Sequence, residues 1–208
     1  MIFTIIEESD DLILGNHLGH FQLTGRLWSA LKNAEGARVV VMSSVGDRQG
    51  SVDLSDLNFE RRPYDKARAY AQSKTANSLF AVELDRVGEA YGVRAFAVHP
   101  GAIMTDIFRY MSEEERGAWV QRVQGGGGAS STGAGFKTPE QGAATSLWCA
   151  LSEQLEGIGG VYCEDCNIAE LVPDGDLAPR GVRSFAIDEE TAAALWRLSE
   201  GATGVRWP

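Results

Sequence analysis

Tyr70 and Lys74 stand four residues apart in Tyr70-Ala71-Gln72-Ser73-Lys74, a spacing that places both side chains on one face of a helix, one turn apart. A phenol beside an ammonium has a chemical use. The cation favours phenolate and draws a group with an ordinary pKa of about 10 towards neutrality, where it can exchange a proton with a substrate oxygen. A lone Tyr-x-x-x-Lys also arises by chance, and the plainer reading is a partly buried tyrosine beside a solvated lysine. Two further features separate these readings: Ser43-Ser44 follows one apolar run, and Pro100-Gly101 follows another.

The elements that must position these residues read as α/β. Arg38 to Ser44 begins as a β-branched run and turns polar, as a strand buried on both faces of a parallel sheet does. Val93 to His99 is a second such run. Between them, Tyr64 to Tyr91 is rich in Ala and Leu and is stopped by Gly92, so the three form a βαβ unit with a right-handed crossover expected. Pro139 to Leu151 predicts a further helix with Thr138 as N-cap, and Gly159 to Cys163 a third strand, which repeats the pattern once. Asp188 to Glu200 predicts a terminal amphipathic helix, with acidic residues in its first turn. Open parallel sheets bind ligands outside the C-terminal ends of their strands. Ser44, Tyr70 and Pro100-Gly101 all fall at that edge.

The remaining features narrow the function. With 29 acidic and 19 basic residues among 208, the chain carries a formal charge of -10, the wrong sign for a surface that displaces counterions from nucleic acid. The opening Met1 to Ile6 is apolar but short and runs into Glu7-Glu8; the expectation is a cytoplasmic protein with no membrane segment. Three cysteines agree with a reducing compartment. His17 and His20 lack a third ligand nearby, and Cys163-Glu164-Asp165-Cys166 lacks a second pair, so no metal site is expected. The five tryptophans are scattered, as packing residues are. Residues 124–137 hold four consecutive glycines and read as a flexible loop; Phe136 stands where a phosphate loop needs glycine before its lysine.

Together, Asn16 in Asn16-His17-Leu18-Gly19-His20-Phe21, Ser44, Tyr70-Ala71-Gln72-Ser73-Lys74 and His99-Pro100-Gly101-Ala102-Ile103-Met104-Thr105 resemble the short-chain dehydrogenase/reductase family, from about Asn16 to the C-terminus. The Asn-His-Leu-Gly-His-Phe wording and Gly159-Gly160-Val161-Tyr162-Cys163-Glu164-Asp165-Cys166 resemble its retinol-dehydrogenase-like and WW-domain-oxidoreductase-like branch. The resemblance implies an oxidoreductase that moves a hydride between NAD or NADP and an alcohol or carbonyl substrate. Tyr70 would be the general acid or base, Lys74 its tuner and Ser44 the second contact of the substrate oxygen. Asn16 would anchor a water leading from Lys74 to solvent. Tyr70, Lys74, Pro100, Gly101, Ile103 and Thr105 would hold the cofactor, Ile103 and Thr105 through its carboxamide.

The same resemblance marks a gap. A complete family member begins with a Gly-rich turn that receives the pyrophosphate at a helix N-terminus, and only Gly15 precedes Asn16. Residues 1–208 are therefore expected to form one truncated, Rossmann-like domain: about three C-terminal strands of a doubly wound parallel sheet with their helices, the N-terminal strands missing. The strand from Arg38 would be an exposed edge. Two functions are consistent with this, an oxidoreductase possibly inactive as this chain alone, and a non-catalytic remnant that binds a partner through its open edge or long helices. The stretch from Arg109 to Lys137 takes the place of a variable substrate lid, and the largely apolar helix from Tyr64 to Tyr91 suggests a homodimer.

Overall fold

A computed structural model describes residues 12–106, 109, 111–124, 135–174 and 180–207. Strands β1 (Arg38–Met42), β2 (Arg94–His99) and β3 (Val161–Glu164) lie parallel in that order, and the short β4 (Asn167–Ile168) runs antiparallel to β3. The register puts Val40 beside Phe96 and Phe96 beside Val161. A separate parallel pair, β5 (Leu171–Val172) and β6 (Val182–Arg183), flanks this sheet in sequence. The helices are α1 (Gly19–Asn33), α2 (Lys66–Gly88), α3 (Glu113–Gln124), α4 (Pro139–Leu151) and α5 (Glu189–Thr203). This is an α/β fold with a parallel-dominated sheet, as the alternation of apolar runs and helices predicts.

Strand side chains alternate between faces, and the two faces meet different helices. Val41, Ala95, Ala97 and Tyr162 pack with Phe80, Ala81 and Leu84 of α2. Phe96, Val98 and Cys163 pack with Cys149 of α4 and with Leu155. The connections β1-α2-β2 and β2-α4-β3 step across the sheet in the same direction but cross opposite faces, so they have opposite hands. The expected simple repeat of a right-handed unit is therefore wrong for one of them. The constraint on handedness is tight for compact crossovers, whereas residues 100–138 make a long excursion, with α3 inside it, before α4 returns to the sheet.

α2 is buried along almost its whole length and around most of its circumference, against the sheet on one side and α5 on another. The apolar surface that suggested a partner copy is thus covered within the chain. Three of the five tryptophans converge: the ring centroid of Trp207 lies 5.1 Å from that of Trp28 and 4.6 Å from that of Trp196, and Trp196 lies 4.9 Å from Phe21. Burying Phe21 and Phe80 in this cluster stabilises the fold by roughly 1.5–3 kcal/mol each. His17 and Cys163 are spent in the same way. His17 is buried with Nε2 2.8 Å from Ser199 Oγ, and Cys163 is buried beside Cys149, turned away from the C-x-x-C pairing.

Helix ends follow their caps. Asp65 accepts from the Arg68 amide and starts α2 two residues after Tyr64, while Gly92, at φ 71°, ends the short 3-10 turn Glu89–Tyr91 that follows it. α4 begins and ends as expected because Thr138 and Gln141 form a reciprocal capping box ahead of Pro139. β1 stops at Met42, two residues short of the expected end at Ser44, and pairs on one side only among the described residues. Of the glycine-rich loop, residues 125–134 lie outside the described residues.

Candidate active site

The site is built by polar residues that tie α2 to the chain leaving β1. Asn77 Nδ2 donates to the Met42 carbonyl (2.9 Å), Thr75 Oγ1 to the Gly50 carbonyl (2.8 Å), and Ser78 Oγ to Ser43 Oγ (2.9 Å). Such groups are costly to bury unpaired, so they fix the rotation of α2 and with it the faces of Tyr70 and Lys74. Ser43 is absorbed here; it is buried and donates to the Lys74 carbonyl at 2.9 Å. Ser44, beyond the strand end, instead accepts from the Gly46 amide at 3.1 Å, and its hydroxyl and the Tyr70 ring both lie against Gly46. Gly46 runs beneath the phenol, where an added Cβ would stand 2.7 Å from Tyr70 Cε1.

Lys74 reaches back along the same face. Its Nζ lies 5.7 Å from the Tyr70 ring centroid and donates to the Met42 carbonyl at 3.3 Å. Asn16 sits in a five-residue π-helical turn, Leu14–Leu18, a local widening often found at functional sites. Its Nδ2 donates to Ser73 Oγ (3.0 Å), and Ser73 Oγ donates to the Tyr70 carbonyl (2.9 Å). Asn16, Ser44, Tyr70 and Lys74 are therefore brought together.

Burial sets the electrostatics of the pair. It pushes the Tyr70 phenol above its ordinary value, opposed by the neighbouring Ser44 hydroxyl and reinforced by the negative Asp47. Burial also lowers the Lys74 ammonium, against the attraction of Asp47. Spacing alone showed the proximity of the pair but not the desolvation, which outweighs it. At neutral pH the tyrosine is thus a protonated donor. Asp47, missed by the sequence reading, is buried and pushed up to about 6 by that burial, with Ser43 among the groups that oppose the rise.

Across the cleft edge, Pro100-Gly101 leaves β2 with Gly101 at φ 93°. His99, quoted in the motif but given no role, ties the two sides together. Its Nδ1 accepts from the Val45 amide at 3.1 Å and the Gly101 amide at 3.4 Å, which places its proton on Nε2. Ile103 points away from the cleft: a Cβ on Gly142 of α4 would overlap its side chain, so only its backbone can serve a ligand. Thr105 is exposed at the rim.

These buried groups predict acid sensitivity. Burial lowers both His17 and His99 to about 3, so the stability they permit is present above the unfolded value of 6.5 and is lost as pH falls. Asp47 acts with the opposite sign, since its raised pKa favours folding as pH drops through about 6. At about 1.4 kcal/mol per pKa unit, two histidines against one aspartate leave a net loss of about 2–3 kcal/mol between pH 7 and 5. Urea midpoints at the two pH values check this; equal stability at pH 5 would contradict it.

Against known proteins, the chain is 44% identical over 181 residues to a probable oxidoreductase of Streptomyces lividans, an alignment covering 87% of this chain and 60% of that protein. It is 35% identical over 204 residues to retinol dehydrogenase 14 of Mus musculus, covering 98% of this chain and 55% of the relative. Among solved structures, an uncharacterized protein from Mycobacterium paratuberculosis superposes with a TM-score of 0.62 at 32% identity, over 93% of this chain and 58% of the other. No family model matches. The chain thus spans little more than half the length of each of these proteins. With its parallel sheet and its grouped Asn16, Ser44, Tyr70 and Lys74, the chain is similar over most of its length to proteins named as an oxidoreductase and as retinol dehydrogenases.

Proposed function

We propose that this chain carries the catalytic half of an oxidoreductase that transfers a hydride between NAD or NADP and an alcohol or carbonyl substrate. The observation that carries this reading is the grouping of Ser44, Tyr70 and Lys74, with Ser44 Oγ and the Tyr70 ring both against Gly46 and Lys74 Nζ 5.7 Å from that ring, at the C-terminal edge of a parallel sheet beside the Pro100-Gly101 turn. The residues fit the nicotinamide end of such a cofactor. Tyr70 and Lys74 offer donors, and the Pro100-Gly101 turn brings backbone to the same edge of the sheet. The bound nicotinamide would supply or take the hydride.

Tyr70, held protonated by burial, gives its proton to the substrate oxygen as a carbonyl is reduced, and takes it back as an alcohol is oxidised. Ser44 donates to the same oxygen and stabilises charge developing there. Lys74 keeps a positive charge beside the phenol, and Asn16 holds the turn that carries both through Ser73. The Pro100–Thr105 segment would hold the nicotinamide amide through its backbone. Names among the relatives support an alcohol–carbonyl pair as the substrate class.

The test is a titration of the 208-residue chain with NADH and with NADPH, read by cofactor fluorescence and thermal melting. Saturable binding with a raised Tm supports the reading, because a ligand that binds only the folded state stabilises it. No shift with either cofactor would overturn it for this chain. One observation favours a second reading, an interaction module: β1 has a single paired neighbour among the described residues, and such an edge accepts an added strand. That outcome would appear as self-association or strand capture without cofactor binding.

A further inference from the structure

Lys137 has no part in the proton chemistry, yet it is placed with unusual care. It immediately precedes the capping box of α4, its amide donates to the Ala102 carbonyl at 2.8 Å, and its backbone bridges to Ile103. Its side chain lies across Gly101, so close that an added Cβ there would stand 2.6 Å from Cδ, 2.7 Å from Cε and 2.9 Å from Nζ. The ammonium ends in an ion pair with Asp165 at 2.5 Å, with only 11% and 17% of the two side chains exposed.

Asp165 is delivered by a strained turn. Asp165 and Cys166 have φ of 50° and 55° in the hairpin between β3 and β4, where two consecutive left-handed residues call for a pair such as Asn-Gly. Non-glycine residues in this region are disfavoured and persist where the surroundings hold them. Here the Cys166 amide is held by Thr145 Oγ1 at 3.1 Å, and the Asp165 carboxylate is held by Lys137. The Pro100–Thr105 segment is itself pinned by Ile103 packed against Gly142. The charged groups around the adjoining His99 are Arg48, Lys137 and Asp165, and His99 in turn accepts from the Gly101 amide.

We propose that the Lys137–Asp165 pair is a latch that holds the Pro100–Thr105 segment in its ligand-ready conformation, making Lys137 a positioning residue for the nicotinamide end of the cofactor. The cofactor half of this statement rests on the function proposed above; the latch itself does not. The side chain crosses Gly101 where a bare glycine leaves room, and the strained hairpin brings the anion that keeps it there. Losing either charge frees the lysine chain and lets the turn move.

The experiment compares wild type with Asp165→Asn, Lys137→Met and the charge-keeping Lys137→Arg. It reads amide hydrogen exchange in the 99–105 peptide and the Kd for NADH. Asp165→Asn and Lys137→Met are expected to speed exchange of Gly101 and Ala102 about tenfold, the range of a local opening. They are also expected to weaken NADH binding about fivefold to tenfold in a chain that stays folded, with a lowered Tm from one-sided loss of a largely buried pair. Lys137→Arg should restore most of both. Unchanged exchange in that peptide overturns the latch, and so does global unfolding of the near-isosteric Asp165→Asn, which would make the pair a general support. Faster exchange with an unaltered NADH Kd overturns its role towards the cofactor. If wild type binds neither NADH nor NADPH, the proposed function fails, and peptide exchange alone still decides the latch.

Discussion

Tyr70→Phe is expected to leave the chain folded and to lower carbonyl reduction by about a hundredfold to ten-thousandfold, the usual contribution of a positioned acid or base. The ring stays in place on Gly46 and only the hydroxyl is lost. The neighbouring Ser44 hydroxyl keeps the Gly46 amide, so the change in stability should be near the value of one ordinary hydrogen bond, about 0.5–1.5 kcal/mol. The loss should fall on turnover more than on cofactor affinity, because the phenol acts on the reacting oxygen. Steady-state kinetics with a saturating reduced cofactor, beside a thermal melt, separate the two. Retained turnover in a folded variant would remove Tyr70 from the mechanism.

Asp85→Ala is expected to produce the largest loss of stability. The Asp85 carboxylate accepts from Arg94 Nε (2.9 Å), Arg94 Nη2 (2.8 Å) and the Ala95 amide (2.9 Å), which joins the end of α2 to the start of β2. Gly159 passes so near that a Cβ there would overlap this carboxylate. Removing the acid leaves Arg94 Nε and Nη2 and the fully buried Ala95 amide without their acceptor, while Nη1 keeps Glu89 and the Gly157 carbonyl. Breaking a buried pair from one side costs about 3–5 kcal/mol, and Asp85→Asn, which keeps one acceptor, should cost less. Urea unfolding measures both; a loss below about 1 kcal/mol in Asp85→Ala would show that water or a shifted Arg94 replaces the contact.

What the sequence made legible depends on how local the signal is. α4 was readable to its last residue because Thr138, Pro139 and Gln141 act within one turn of each other. The edge where Ser44, Tyr70 and Gly101 gather was readable because strand ends and the i, i+4 spacing are local as well. Features set by distant packing were not. The opposite hands of the two crossovers depend on which sheet face α4 covers, and the aromatic cluster joins Phe21, Trp28, Trp196 and Trp207 from opposite ends of the chain.

Charge was the least legible quantity. Nothing near Asp47 in sequence shows that it is buried, yet its charge reinforces the rise of the Tyr70 pKa and opposes the fall of the Lys74 pKa. His99 was quoted for its place before Pro100, but its bonds to the Val45 and Gly101 amides need the fold. The Lys137–Asp165 pair joins residues 28 positions apart through a turn whose backbone no propensity favours. A signal was present in one case, since an Asp-Cys pair between short strands is an unfavourable turn sequence and marks a site held by something else.

The central claim is that Tyr70, with Ser44 and Lys74, completes a hydride transfer by delivering a proton to the substrate oxygen. The most direct measurement mixes the chain with NADH or NADPH deuterated at the reducing carbon and a panel of aldehydes and ketones, and follows the label. Deuterium on the carbinol carbon of the product, abolished in Tyr70→Phe while cofactor binding persists, is the predicted result. Saturable cofactor binding with no label transferred to any carbonyl, or transfer that survives Tyr70→Phe unchanged, would contradict the account.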